Sequence, residues 1–248
     1  MSMKISPECP AIPAPSEHYF CHMLKAERSG RDEEICSICP RILCESAQNC
    51  NLEKALAFAA EAHQGQMRKG TDIPYLIHLI RTWDYVRRMT EDEDELVAAL
   101  LHDVLEDTAV SAGEIRNAFG NRVEELVKGE SECKRKEYPA GLTWKIRKEE
   151  TVERLRGALG RESQRAAMHI ALGDKLANLY SMVYEYRQTG EHLWKKFNQK
   201  EKSMHAWYYG EMGRIFADYF RRQPEYRLVE EYQKYYKEVF GEYEVSGS

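Results

Sequence analysis

From Asn51 onward, apolar side chains recur three and four positions apart, and helix-start and helix-stop residues punctuate the runs. That pattern confines the chain to architectures in which helix packs on helix. LEKALAFAAEAH has helical spacing and ends before Gly65. PYLIHLIRTWDYVRRM opens with Pro74, a residue suited to the first turn of a helix. Thr90 with Glu93 reads as a capping box for DELVAALLHDVLEDT, and Ser111 with Glu114 as another for GEIRNAF, which stops at Gly120. A short helix and the polar loop KGESECKRKEYPAG follow. TWKIRKEETVERLRGAL then ends at Gly160, and SQRAAMHIALGDKLANLYSMVYEYRQ runs to Gly190. Two aromatic-rich helices, roughly 200–222 and 224–240, come last. Neither a strand alternation nor a solenoid period competes, so the expected fold is all-α.

Ahead of this bundle the composition changes. Residues 1–16 hold four prolines and are expected to be extended. Six of the seven cysteines (Cys9, Cys21, Cys36, Cys39, Cys44 and Cys50) precede Asn51, and only Cys133 follows it. An odd total, with no hydrophobic signal region in MSMKISPECPAIPAPSE, argues against a disulfide framework and for a cytoplasmic protein. Three parts are expected: a Pro- and Cys-rich segment over 1–50, the helical domain over 51–222, and an aromatic helix and tail over 223–248. Cys36 and Cys39 form a CxxC, with Cys21, Cys44 and Cys50 nearby. A structural Zn²⁺ site usually closes with two such pairs, so zinc is not favoured over buried or surface thiols. Against 36 Lys plus Arg stand 41 Asp plus Glu, a net charge of −5. Neither non-specific nucleic-acid binding nor attachment to an anionic membrane suits that balance.

Polar residues interrupt apolar helix faces in four places. In LLHDVLEDT, His102 and Asp103 are adjacent, and Asp103, Glu106 and Asp107 share a face at i, i+3 and i+4. EDT alone reads as a solvated acidic face, but HD inside an apolar run needs partners. His78 lies among Tyr75, Ile77, Leu79 and Ile80, where a lone histidine is more often a satisfied core residue. In ALGDKLANL, Asp174 and Asn178 share a face. Together these supply two imidazoles and two carboxylates, a mixed set suited to Mn²⁺, Fe²⁺ or Zn²⁺. HQGQMRKG places Arg68 and Lys69 in a glycine-containing loop, where cations suit a phosphorylated substrate or simply face water.

The order AHQGQMRKG, PYLIH, LLHDVLEDT, GDKLANL resembles the HD-type hydrolase domain of the RelA/SpoT homologues, over about residues 52–180. The resemblance implies an HD-domain helical bundle and a manganese-dependent enzyme that removes the 3′-pyrophosphate from the guanine nucleotide alarmone (p)ppGpp. It makes His78, His102, Asp103 and Asp174 the metal ligands. Glu106 and Asp107 become the pair that positions and deprotonates the attacking water, while Arg68, Lys69 and Asn178 hold substrate. His63 matches a family position and is read as supporting the loop.

Two departures stand out. Leu79 replaces the family's usual Pro, and Gly173 stands where Ala is usual, loosening the helix by up to about 1 kcal/mol. Residues 120–163 match poorly, so basic residues of 134–136 and 145–148 are only general candidates for substrate contact. Aromatics of 202–209 read as core or as cover for a base. The competing expectations are an HD phosphohydrolase acting on an adenosine alarmone, NADPH or a 3′-phosphorylated nucleotide, and a non-catalytic nucleotide-binding module. The sequence leaves the oligomeric state open, a homodimer included.

Overall fold

Of the starts and stops read above, Ser111, Gly120 and Gly190 cap helices in the structure. The computed structural model describes residues 50–132, 135 and 137–242. The cysteines weighed as Zn²⁺ ligands and not favoured, Cys21, Cys36, Cys39 and Cys44 with the Cys50 side chain, and the candidate cations Lys134 and Lys136 lie outside the described residues. Among those described there is no strand, only an isolated bridge between Met67 and Pro74. None of their helices is long and apolar enough to cross a membrane.

Helices α1 (Cys50–Ala62), α2 (Leu76–Val86) and α3 (Glu93–Leu101) lead into a single turn, α4 (Val104–Asp107). Next come α5 (Ala112–Phe119), α6 (Asn121–Glu130) and α7 (Ala140–Arg156). The long α8 (Arg165–Thr189) precedes α9 (Lys202–Phe220) and α10 (Tyr226–Phe240). At α5 the expected capping box is present: Ser111 Oγ accepts from Glu114 N at 3.3 Å and Ser111 N donates to Glu114 at 2.8 Å. At α3 the cap differs from expectation. Asp92, not Thr90, accepts from the backbone of Asp94 (3.0 Å) and Glu95 (3.3 Å), while the Thr90 hydroxyl accepts from Asp92 N. A carboxylate there also complements the positive end of the helix dipole. Pro74 sits just outside α2, in the bridge to Met67.

A larger difference lies in LLHDVLEDT, expected as one helix. Its helix stops at Leu101, His102 and Asp103 form a turn, and α4 restarts at Val104. Asp107 N and Glu106 N both donate to Asp103 O (2.8 and 3.1 Å), so Asp103, Glu106 and Asp107 still share one turn.

Two apolar clusters form the core. One joins α1, α2, α3, α5 and α6 around Trp83, Leu79, Leu100 and Ile115. The other joins α7, α8, α9 and α10 around Phe216, Phe220, Tyr232 and Leu155. Between them runs α8, whose middle from Met168 to Leu179 is largely buried and supplies Ile170 to the first cluster and Met168, Ala171, Leu172 and Leu176 to the second.

At Gly173 α8 comes unusually close to α2. A Cβ there would lie 2.7 Å from Val86 Cγ2 and 3.1 Å from Thr82 O. The glycine read from the sequence as a loosening of the helix is therefore a site of close helix approach.

Candidate active site

The close approach of α2 and α8 brings together side chains far apart in sequence. His78 projects from α2, Asp174 from α8, and His102 and Asp103 from the break between α3 and α4. His78 Nε2 lies 3.1 Å from Asp174 Oδ1 and 3.4 Å from Asp103 Oδ2. His102 Nε2 lies 3.1 Å from Asp103 Oδ2 and 3.6 Å from Asp174 Oδ1. The imidazole rings meet edge to face at 5.2 Å.

This donor set fits a divalent cation. His102 Nδ1 lies 2.9 Å from the Ala99 carbonyl, which can only accept, so Nδ1 carries a hydrogen and Nε2 is the atom turned to the carboxylates. His102 Nε2 is buried and makes no hydrogen bond, as expected of a lone pair aimed at a shared ion. Burial disfavours a charged His102 ring, yet Asp103 and Asp174 raise its pKa well above the ordinary value. Burial would likewise raise Asp103 and Asp174, but His102 beside the first, and Lys175 with His102 beside the second, hold both well below the usual carboxylate range. Such a cluster attracts positive charge, which a proton or a metal ion can supply.

Beside the cluster, Tyr75 Oη lies 2.7 Å from Asp103 Oδ2 and 3.0 Å from Asp107 Oδ2, so one hydroxyl serves both carboxylates. Burial, with Asp103 and Asp107 next, pushes the Tyr75 phenol well above its usual pKa and keeps it a neutral donor. His63 stacks on the Tyr75 ring at 4.9 Å and binds Gln66, whose amide donates to the Asp107 carbonyl. Glu106 Oε2 accepts from Glu132 N at 3.2 Å.

A cavity of about 140 Å³ opens onto this cluster, lined also by Arg68, Lys148, Lys175 and Asn178. An adjoining cavity of about 300 Å³ has Arg68, Tyr75, Lys148, Lys175 and Asn178 in common with it, and adds Lys69, Trp144, Tyr208 and Tyr209. Arg68 donates to Asn178 Oδ1 (2.9 Å), and Asn178 Nδ2 to Asp174 Oδ1 (2.6 Å), which ties the basic loop to the ligand cluster. Lys69 instead reaches Asn198 Oδ1 at 2.6 Å, farther from the cluster. Lys175 pairs with Asp174.

The structure thus brings His78, His102, Asp103, Asp174, Glu106, Asp107, Arg68 and Asn178 around one cavity, with Lys69 on the next. Sequence reasoning passed over Tyr75, Lys175 and Glu132. Lys175 had a signal, an ammonium inside the apolar ALGDKLANL run, and so had Tyr75, three residues before His78 on the same face. Of the general candidates, Lys148 reaches the site, whereas Arg135 pairs with Glu150.

The chain matches the HD domain family over residues 55–201. It is 37% identical over 97 residues to a guanosine-3′,5′-bis(diphosphate) 3′-pyrophosphohydrolase of Aquifex aeolicus, covering 39% of this chain and 14% of that protein. It is 40% identical over 80 residues to the bifunctional (p)ppGpp synthase/hydrolase SpoT of Escherichia coli K12, covering 32% of this chain and 11% of the relative. A GTP pyrophosphokinase of Myxococcus xanthus is 28% identical over 131 residues, 53% of this chain and 17% of that protein. The match therefore spans less than a fifth of each of these relatives. A solved Listeria monocytogenes structure superposes with a TM-score of 0.55 at 27% identity, over 71% of this chain and 100% of the other. A structure described as a metazoan ortholog of SpoT that hydrolyses ppGpp gives 0.58 at 23% identity, over 77% and 97%, a likeness of fold.

Proposed function

The chain belongs to the HD domain family, and from that premise we propose a cytoplasmic metal-dependent hydrolase that removes the 3′-pyrophosphate from (p)ppGpp. The products are GDP or GTP and pyrophosphate. One observation carries this reading: two imidazole nitrogens and two carboxylate oxygens converge next to two further carboxylates, in a cavity that Arg68, Lys148, Arg154 and Lys175 also line. A solvated acidic patch has no use for four cations gathered in its cavity, whereas a polyphosphate does.

In this reading His78, His102, Asp103 and Asp174 hold Mn²⁺. When bound, the metal lowers the pKa of a water and shields charge on the phosphoryl oxygens. Glu106 accepts the proton of the attacking water, and Asp107, fixed by the Tyr75 hydroxyl, orients that water. Arg68 and Asn178, joined by a hydrogen bond, hold the nucleotide at the mouth of the cluster. Lys69 and the aromatic side chains Trp144 and Tyr209 lie in the larger cavity, where the rest of the nucleotide fits.

The test is incubation of the purified protein with Mn²⁺ and a panel of (p)ppGpp, an adenosine alarmone, NADPH and a 3′-phosphorylated nucleotide. Release of pyrophosphate with GDP or GTP is expected. Turnover of another member of the panel alone would replace the guanosine reading, and binding without turnover would replace it with a nucleotide-binding module.

A further inference from the structure

The loop after α6 sends an acid into the cationic side of the pocket. The Glu132 carboxylate accepts from Arg147 Nη1 at 2.9 Å, Lys148 Nζ at 2.7 Å and Thr151 Oγ1 at 3.1 Å, all on α7. Its own backbone N–H donates to Glu106 Oε2 at 3.2 Å. Glu132 and Lys148 both line the cavity that opens on the His–Asp cluster, and Lys148 also lines the adjoining one. The Glu132 side chain is only 10% exposed.

Two cations and a hydroxyl converging on a carboxylate make the set of donors that a phosphoryl group would take. Burial opposes the charge on Glu132, but Lys148, Lys175 and Arg147 hold its carboxyl below the usual range, so it is anionic at neutral pH. An anionic ligand entering the cavity therefore meets Lys148 already neutralised. To use that cation it must displace or share it with Glu132, and movement of Glu132 relaxes its main-chain hold on Glu106.

We propose that Glu132 is an affinity-setting and positioning residue, its carboxylate competing with the anionic substrate for Lys148 while its main chain aims Glu106. The proposal rests on the phosphohydrolase reading of this pocket. It goes beyond that reading in assigning the pocket an internal counter-anion, which lowers affinity for polyphosphates in general and couples their binding to the placement of Glu106.

Isothermal titration of the full-length, metal-free protein with inorganic pyrophosphate tests it. Glu132→Gln is expected to tighten pyrophosphate binding about ten-fold, the effect of removing one competing charge at a largely buried site. Lys148→Met should weaken binding by no more than about two-fold in the wild type, where Lys148 is committed, and by ten-fold or more in the Glu132→Gln background. That non-additivity identifies the pair. Steady-state hydrolysis adds a second readout: in Glu132→Gln both KM and kcat should fall, whereas loss of a merely structural residue does not tighten KM. Unchanged or weaker pyrophosphate binding by a folded Glu132→Gln protein would overturn the proposal. Should that variant not fold, a ten-fold loss in Lys148→Met alone would do so. If the wild type hydrolyses no nucleotide, the phosphohydrolase reading fails while the pyrophosphate titrations still decide the competition.

Discussion

Replacing Gly173 by alanine sets two effects against each other at the ligand cluster. On an isolated helix the change stabilises, by about 1 kcal/mol. In this fold the new methyl would sit 2.7 Å from Val86 Cγ2, about 0.7 Å short of the 3.4 Å at which ordinary contact begins, and 3.1 Å from Thr82 O. Val86 is β-branched and fully buried in α2, so its methyl has little room to turn away. Overpacking of this kind costs about 1–3 kcal/mol, which outweighs the propensity gain. The expected net loss is about 1 kcal/mol, or a Tm lower by roughly 3 °C for a protein of this size. Activity should suffer more. The helices that must part carry His78 and Asp174, whose Nε2 and Oδ1 atoms now lie 3.1 Å apart. A displacement approaching 1 Å at reacting groups costs up to about 10²-fold in rate, so kcat should fall by ten-fold or more and Mn²⁺ should bind less tightly. Differential scanning calorimetry, Mn²⁺ titration and hydrolysis rates on the two proteins provide the measurements. A Gly173→Ala protein that melts higher and turns over normally would show that helix propensity governs this position and that close approach does not.

Three further outcomes are expected. His102→Ala or Asp103→Ala should abolish tight Mn²⁺ binding and turnover together, and full activity in either variant or after exhaustive chelation would remove the metal from the mechanism. Glu106→Gln should lower kcat by about 10²-fold with metal affinity retained, and an effect confined to KM would move Glu106 to substrate binding. The third concerns acid stability of the metal-free protein. Lys148 and its neighbours hold the folded-state carboxyl of Glu132 below its usual value even against burial, so the stabilisation is present above the unfolded pKa and is lost as pH falls through the folded one. Between about pH 5 and pH 3 the Tm of the wild type should therefore drop more steeply than that of Glu132→Gln, and parallel curves would contradict it.

What could be read from the sequence follows a physical division. Helix periodicity, the Ser111–Glu114 box and the HD and Asp174–Asn178 spacings are local, so the side chains that matter are near neighbours in the chain. The break at His102 was hidden because LLHDVLEDT keeps helical periodicity through it. The α3 cap was misassigned because Thr90 and Asp92 are both good caps, and only the backbone path shows which oxygen faces the free N–H groups. Glu132 and Tyr75 act through partners 15 to 32 positions away, on other elements. Gly173 looked weak because propensity is a property of one helix, whereas its role here is set by the helix opposite.

The burial of the middle of α8 between the two clusters has a thermodynamic consequence. The helix belongs to both apolar clusters and also carries Asp174 and Asn178, so neither half of the molecule can melt while the other keeps its packing. Free energy gained when an ion binds at Asp174 is then shared by linkage with residues that never approach it. Backbone amides in α9 and α10, which pack against α8 but contribute no ligand, should exchange hydrogen more slowly once the cluster is loaded, by the same factor as amides beside His78. The metal would in that sense set the opening free energy of the whole bundle.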